Sequence, residues 1–181
     1  MKITALDFET ANHSHASICA AGIAVFVDGE LTDSRHWLVR PPKGHGWFRE
    51  DFVEIHGITR EDVADAPEFS TVAAELLPFL TDADLVVAHN ASFDIGKLNG
   101  TLNHFGIPCP QFTCMCSCRV SRRAWPNLPN HKLNTVAAHI GHTFHHHNAV
   151  ADAEAAGRVL CTIIKERGEQ WILDRTQQSK S

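Results

Sequence analysis

The chain opens on a short apolar run over residues 2–9, which has the length of a buried strand but alternates poorly. Ile18–Val27 reads as a second apolar strand and Asp28-Gly29 as a hairpin turn. Residues 31–39 read as a third strand, closed by Pro41 and Pro42. Thr59 with Asp62 has the form of a capping box and predicts a helix start over residues 59–64. Pro67 suits a first helical position, and Phe69, Val72, Ala73, Leu76 and Leu80 have helical spacing. Pro78 is expected to end or kink that helix. Leu85–Ala88 is a fully apolar short strand. Ser92 is placed to cap a helix whose face is Leu98, Leu102 and Phe105 and whose end is Gly106. Residues 112–114 predict a strand, residues 117–125 a short helix stopped by Pro126, and residues 132–140 a helix stopped by Gly141. The longest helix is expected over residues 148–167, with Gly168 as its end. Three hairpin-linked strands followed by alternating helices and strands predict an α/β domain, a mixed sheet with helices packed on it.

Length and composition narrow the class. At 181 residues the chain is one domain, expected over residues 1–173, with a polar tail over 174–181 expected to be disordered. Its 44% hydrophobic and 20% charged residues support a sizeable core and argue against wholesale disorder. No stretch approaches the ~18 apolar residues of a membrane span. The first ten residues are too short and too acidic for a signal peptide, so the cytosol is the expected compartment. The six cysteines are therefore expected to be reduced thiols rather than a disulfide framework. Cys114, Cys116 and Cys118 also lack the C-x2-C spacing of a structural zinc knuckle.

A net charge of −5 argues at first against a polyanionic partner, but the charges are segregated. Residues 1–94 carry a net of −10. Residues 95–151 contain no Asp or Glu; Lys97, Arg119, Arg122, Arg123 and Lys132 give that stretch a net of +5 alongside seven histidines. An acid-free stretch of this length is a candidate polyanion-facing surface. The basic residues 119–123 next to Trp125 suit the phosphates and bases of a single strand, with a solvated helix face as the open alternative.

The chemistry concentrates in five residues. Asp7 and Glu9 lie two apart on a predicted strand, so both side chains leave the same face. Two carboxylates on an otherwise apolar strand repel each other and are costly to bury, and a divalent cation offsets both penalties. Asp94 follows the apolar strand 85–88. Asp152 sits one turn into the longest helix, with His147 five residues before it at the helix start. Taken singly, each also reads as a solvated or dipole-favoured charge.

The order Asp-x-Glu, Asp, His-x4-Asp, each beside an apolar element, resembles the DEDDh (DnaQ-like) family of 3′–5′ exonucleases. That family includes the proofreading subunit of bacterial DNA polymerase III and exonuclease X. The resembling segments are LDFET (6–10), VVAHNASFD (86–94) and HHNAVADA (146–153), with IHGIT (55–59) and HKLNTVAAHIG (131–141) between them. The resemblance implies a ribonuclease-H-like exonuclease fold, a mixed five-stranded sheet flanked by helices. It implies two divalent metal ions, Mg²⁺ or Mn²⁺, held by Asp7, Glu9, Asp94 and Asp152, with Asp7 shared between them and His147 as general base. Phe8 and Thr10 are implied as contacts to the terminal nucleotide. Phe93 stands between stacking and core packing. Asn90 stands between a structural role and substrate contact.

These implications point to hydrolysis of DNA from single-stranded or frayed 3′ ends to nucleoside 5′-monophosphates. An exoribonuclease of the ribonuclease T or oligoribonuclease kind shares the same motifs and stays open. So does, more remotely, an inactive exonuclease-fold binding module. A polymerase or repair complex and a homodimer are open as partners, and no membrane is expected.

Overall fold

Strand β1 (Lys2–Thr10) occupies the middle of a five-stranded sheet of order β3-β2-β1-β4-β5, completed by β2 (Ile18–Val27), β3 (Glu30–Leu38), β4 (Leu85–Ala88) and β5 (Cys114–Cys116). The computed structural model describes residues 1–177. Strand β1 pairs antiparallel with β2 and parallel with β4; β2 and β3 pair antiparallel, β4 and β5 parallel. The sheet is thus mixed and five-stranded, as the family resemblance implies. The central position explains the poor alternation of β1: both of its faces are covered, so both need apolar residues.

Seven helices are described: α1 (Glu50–His56), α2 (Phe69–Thr81), α3 (Ala91–His104), α4 (Ser117–Ala124), α5 (Leu133–His139), α6 (Ala149–Arg167) and α7 (Glu169–Gln177). On one face of the sheet, Ile3, Ala5, Ala24, Phe26 and Val87 meet Ala153, Val159, Leu160 and Ile163 of α6. On the other, Leu6, Phe8, Ile23 and Val86 meet Phe69, Val72, Leu76 and Leu80 of α2 and Leu98 and Leu102 of α3. Helix α6 lies close against β2 because glycines meet it there. A Cβ on Gly22 would overlap the Ala149 backbone, and one on Gly157 would overlap the Phe26 ring. Gly22 is the register partner of Asp7, so this close approach brings the start of α6 beside the acids of β1.

Several local expectations change. Thr59 and Asp62 do exchange the bonds of a capping box: Thr59 N–H donates to Asp62 Oδ2 at 2.7 Å and Asp62 N–H to Thr59 Oγ1 at 3.3 Å. They close a run of turns rather than a helix. Pro78 neither ends nor breaks α2, which runs to Thr81. Pro78 and Ala74, whose carbonyl loses its partner, are both exposed, so water can reach that carbonyl. Helix α3 starts at Ala91 with Asn90, not Ser92, at its N-cap. Strand β5 is displaced two residues toward the C-terminus of its expected place. Helix α1 was not foreseen. The tail expected from Asp174 begins inside α7, whose Ile172 is fully buried against the α6 layer, and residues 178–181 lie outside the described residues. All six cysteines are free thiols. Among the described residues no helix is long and apolar enough to cross a membrane.

Candidate active site

Strand alternation sends Asp7 and Glu9 to the α6 face of β1, beyond Ile3 and Ala5 of the same face. The start of α6 meets them there. Asn148 caps the helix by accepting from Ala151 N–H at 3.2 Å, and Asp152 in the first turn is 3% exposed. One oxygen each from Asp7, Glu9 and Asp152 lies within 4.8 Å of the others. Asp94, in the first turn of α3 and 1% exposed, joins from the β4 side, where its Oδ1 accepts from the Phe8 N–H at 3.1 Å. The structure therefore brings all four predicted acids to one place. Asp7, Glu9 and Asp152 line a cleft of about 530 Å³ together with Phe8, His89, Phe93, Lys132, His146 and His147.

The electrostatics of this group are one-sided. Burial, and then Asp94, Glu9 and Asp152, raise the Asp7 carboxyl well above its ordinary range. Burial and Asp152 push Glu9 up to about 8, and burial chiefly does the same for Asp94. Asp152 is also raised by burial, against the opposing hydrogen bond from His146. Among the described residues no Lys or Arg pairs with Asp7, Glu9 or Asp94. Four clustered carboxylates, of which only Asp152 meets a basic side chain, His146, among the described residues, have the oxygen donors and the unbalanced charge that fit hard divalent ions such as Mg²⁺ or Mn²⁺.

His147 is held at the rim by its backbone. It adopts φ 67°, and its N–H donates to Asp152 Oδ2 at 2.7 Å. Burial, followed by the charge of His146, lowers its pKa, which favours the neutral imidazole at pH 7. The neighbouring His146 places Nδ1 2.5 Å from Asp152 Oδ1 and stacks on His147 with ring centroids 3.9 Å apart. His56 of α1 was missed by sequence reasoning. It bonds through Nε2 to the Thr10 carbonyl at 3.2 Å, and so anchors the end of β1. His89 spans from Ser117 Oγ to the His131 carbonyl, 2.9 Å each, and ties β4 to the segment that leads into α5.

The expected substrate contacts separate into groups. Phe93 is 41% exposed on the cleft wall with the Lys97 ammonium 5.5 Å from its ring, so the core-packing alternative is overturned. Phe8 and Thr10 are each only 2% exposed. The Phe8 ring packs on Phe69 at 6.0 Å, away from the acids, which leaves its main chain as the part that borders the cleft. Lys97, counted with the basic stretch, is buried and donates to the carbonyls of Asn12 at 3.1 Å and Ser14 at 2.6 Å, holding the β1–β2 loop. Arg119, Arg122 and Arg123 are exposed on α4. They line a second cleft of about 410 Å³ with Asn90 and Ser92, not the acidic one. The two clefts meet at the His89–Asn90 turn, where Asn90 takes φ 70° and makes no side-chain cap.

Comparison with known proteins agrees with this arrangement. A family model described as Exonuclease matches residues 4–160. The chain is 33% identical over 151 residues to a DNA polymerase III PolC-type from Halalkalibacterium halodurans. The match covers 83% of this chain and 10% of that much longer relative. Among solved structures, exonuclease X in complex with 5′-overhanging duplex DNA superposes with a TM-score of 0.74 at 24% identity, covering 92% of this chain and 93% of the other. The nuclease domain of 3′hExo, a DEDDh family member bound to rAMP, superposes with a TM-score of 0.76 at 16% identity, covering 93% and 94%. With the family model spanning most of the chain and the five motif residues in order and gathered at one site, the chain belongs to the DEDDh (DnaQ-like) exonuclease family.

Proposed function

We propose that this chain is a metal-dependent exonuclease that shortens DNA from its 3′ end and releases nucleoside 5′-monophosphates. The observation that carries this reading is the convergence of Asp7, Glu9, Asp152 and His147 on one open cleft, with Asp94 buried directly behind it against the Phe8 N–H. Asp7, Glu9 and Asp152 would hold one divalent ion, and Asp7 with Asp94 a second. Bound there, the two ions supply the positive charge that stabilises the entering and leaving oxygens of an in-line phosphoryl displacement.

The remaining work falls to the chain's own groups. The neutral His147 imidazole accepts the proton of the attacking water. Phe93 offers its exposed face to the terminal base, with Lys97 fixing the ring from below. Phe8 and Thr10 contact the terminal nucleotide through main-chain groups, because their side chains are turned inward. Asn90 marks the crossing from the acidic cleft to the basic one. There Arg119, Arg122 and Arg123 hold backbone phosphates of the strand 5′ to the cleaved bond.

DNA is the preferred substrate in this reading because the curated relatives are DNA polymerases and one structural neighbour holds duplex DNA. The same relatives suggest work beside a polymerase. The rAMP-bound neighbour makes RNA the alternative to test. The experiment is degradation of matched 5′-labelled single-stranded DNA, duplex DNA and RNA with Mg²⁺ or Mn²⁺, and with EDTA. A ladder shortening from the 3′ end, faster on DNA and absent in EDTA, is expected. Full activity in chelator, or cutting of a closed circular single strand, contradicts the proposal. Faster loss of RNA moves the substrate assignment to RNA.

A further inference from the structure

The loop between α5 and α6 brings a second set of ligand atoms to Asp152, at the rim of the same cleft. One ligand atom each from His146, His147 and Asp152 lies within 4.8 Å of the others. His146 Nδ1 is already 2.5 Å from Asp152 Oδ1, so an imidazole nitrogen and a carboxylate oxygen face each other directly. The rings are backed by an aromatic column: Phe144 meets His146 edge-on at 5.6 Å, and His142 stacks on Phe144 at 5.6 Å. His146 and His147 are both exposed, so an ion arriving from solvent reaches them without unfolding the loop.

This set differs in kind from the catalytic one. Asp7, Glu9 and Asp152 are oxygen donors only, which suits Mg²⁺. Two imidazoles and one carboxylate, open on the fourth side, suit Zn²⁺, whose ligands at 2.0–2.1 Å are commonly His and Asp. Two such ligands on a tetrahedral ion lie about 3.3 Å apart, so His146 and Asp152 need only a small outward shift to exchange their shared proton for an ion. For sites with nitrogen donors, Zn²⁺ also outranks Mn²⁺ in affinity.

We infer that His146, His147 and Asp152 form an inhibitory binding site for a nitrogen-favouring divalent ion of the Zn²⁺ type, distinct from the catalytic metal sites but sharing Asp152 with them. Occupation takes the imidazole of His147 and an oxygen of Asp152 at once, so the ion switches off an enzyme that is saturated with Mg²⁺. The inhibitory consequence rests on the exonuclease reading; the binding site itself does not.

The test is calorimetric titration of the metal-free full chain with Zn²⁺, for wild type, His146→Ala and Asp7→Asn. One tight Zn²⁺ per wild-type chain is expected, weakened at least tenfold in His146→Ala and retained in Asp7→Asn. Equal affinity in wild type and His146→Ala overturns the inference. So does loss of the tight site in Asp7→Asn, which would return the ion to the catalytic acids. In the nuclease assay with millimolar Mg²⁺, micromolar Zn²⁺ should inhibit wild type strongly and His146→Ala at least tenfold less, each against its own zinc-free rate. The calorimetric pattern without any nuclease activity leaves the binding site standing and removes the exonuclease reading. Nuclease activity with Zn²⁺ binding independent of His146 does the reverse.

Discussion

The Phe8 main-chain N–H donates to Asp94 Oδ1 across 3.1 Å, which ties helix α3 to the strand that carries Asp7 and Glu9. Pairing of β1 with β4 ends at Ala5–Val87, so β1 outruns its neighbour and a carboxylate stands where the next strand residue would accept the bond. Asp94 therefore has one role that the structure shows and a second that the proposed function assigns to it: its oxygen satisfies a buried N–H, and its charge would help to hold a metal. Asp94→Asn keeps an oxygen acceptor and removes the charge. The metal-free variant should match or exceed wild-type stability in urea at pH 8, while nuclease turnover falls about 10²-fold or more. Asp94→Ala leaves the Phe8 N–H unpaired and should cost about 1–3 kcal/mol. Equal destabilisation by both substitutions would show that the bond does not matter.

The raised carboxyl pKa values predict an unusual pH dependence. Glu9 and Asp94 are pushed up to about 8 by burial, and Asp7 is raised too, against ordinary values near 4 in the unfolded chain. In the window from about pH 4 to pH 8 the folded state binds more protons than the unfolded one, so these acids lower stability as pH rises. The penalty is absent below the unfolded values and complete above the folded ones. Melting temperatures of EDTA-treated protein should fall across this window. Added Mn²⁺ should raise them more at pH 8 than at pH 5.5, because ligand oxygens must be deprotonated to bind. A metal-free melting temperature that climbs steadily from pH 5.5 to 8, with a Mn²⁺ gain independent of pH, would count against the cluster.

The parts of this structure that were legible in the sequence are those with a local signature. Strands β1, β2 and β4 are apolar runs of strand length, and α6 carries a cap at Asn148 and a stop at Gly168. The five motif residues sit beside those elements. Helix α1 escaped because none of its residues is buried: it is held through backbone and polar bonds such as Arg49 N–H to the Ala11 carbonyl, which leave no apolar period. Lys97 was counted as surface charge, although its ammonium replaces water with loop carbonyls brought from 83 or more residues away in sequence. His146 lay in a run of three histidines. The left-handed turn at His147 turns its N–H toward Asp152 and leaves the His146 ring beside the same carboxylate, and a positive φ is too uncommon at any non-glycine residue to be expected there from the sequence. The close seat of α6 depends on Gly22 and Gly157, whose meaning appears only once β2 and α6 are side by side.

The α4 arginines give a prediction in salt. Arg119, Arg122 and Arg123 are exposed, and their cleft begins where the acidic one ends. Replacing all three with Ala should weaken single-strand binding and reduce the slope of log K against log salt by about 2, at about 0.7 per phosphate contact. Turnover at saturating substrate should change much less, because no arginine reaches the acids. The helix should stay folded, since its buried contacts are Ser117, Val120, Ser121 and Ala124. An unchanged slope would place the strand elsewhere and leave these arginines as a solvated face.

The roles of His147 and Asp7 separate in a paired experiment. Asp7→Ala removes a carboxylate that both proposed ions share, so Mn²⁺ binding and turnover should collapse together. His147→Ala removes the proton acceptor and leaves the four acids, so Mn²⁺ binding should persist while turnover drops about 10²–10⁴-fold. One complication is local to this chain. His147 sits at φ 67°, a region that alanine resists and glycine accepts, so His147→Ala also strains the turn that delivers its N–H to Asp152. His147→Gly relieves that strain without restoring an imidazole. If proton transfer is the role of His147, the Ala and Gly variants should be slowed to the same extent, and added imidazole should recover part of the rate in both. If glycine alone restores turnover, the backbone of His147 matters and its ring does not. Loss of Mn²⁺ in His147→Gly as complete as in Asp7→Ala would reassign the ring as a ligand.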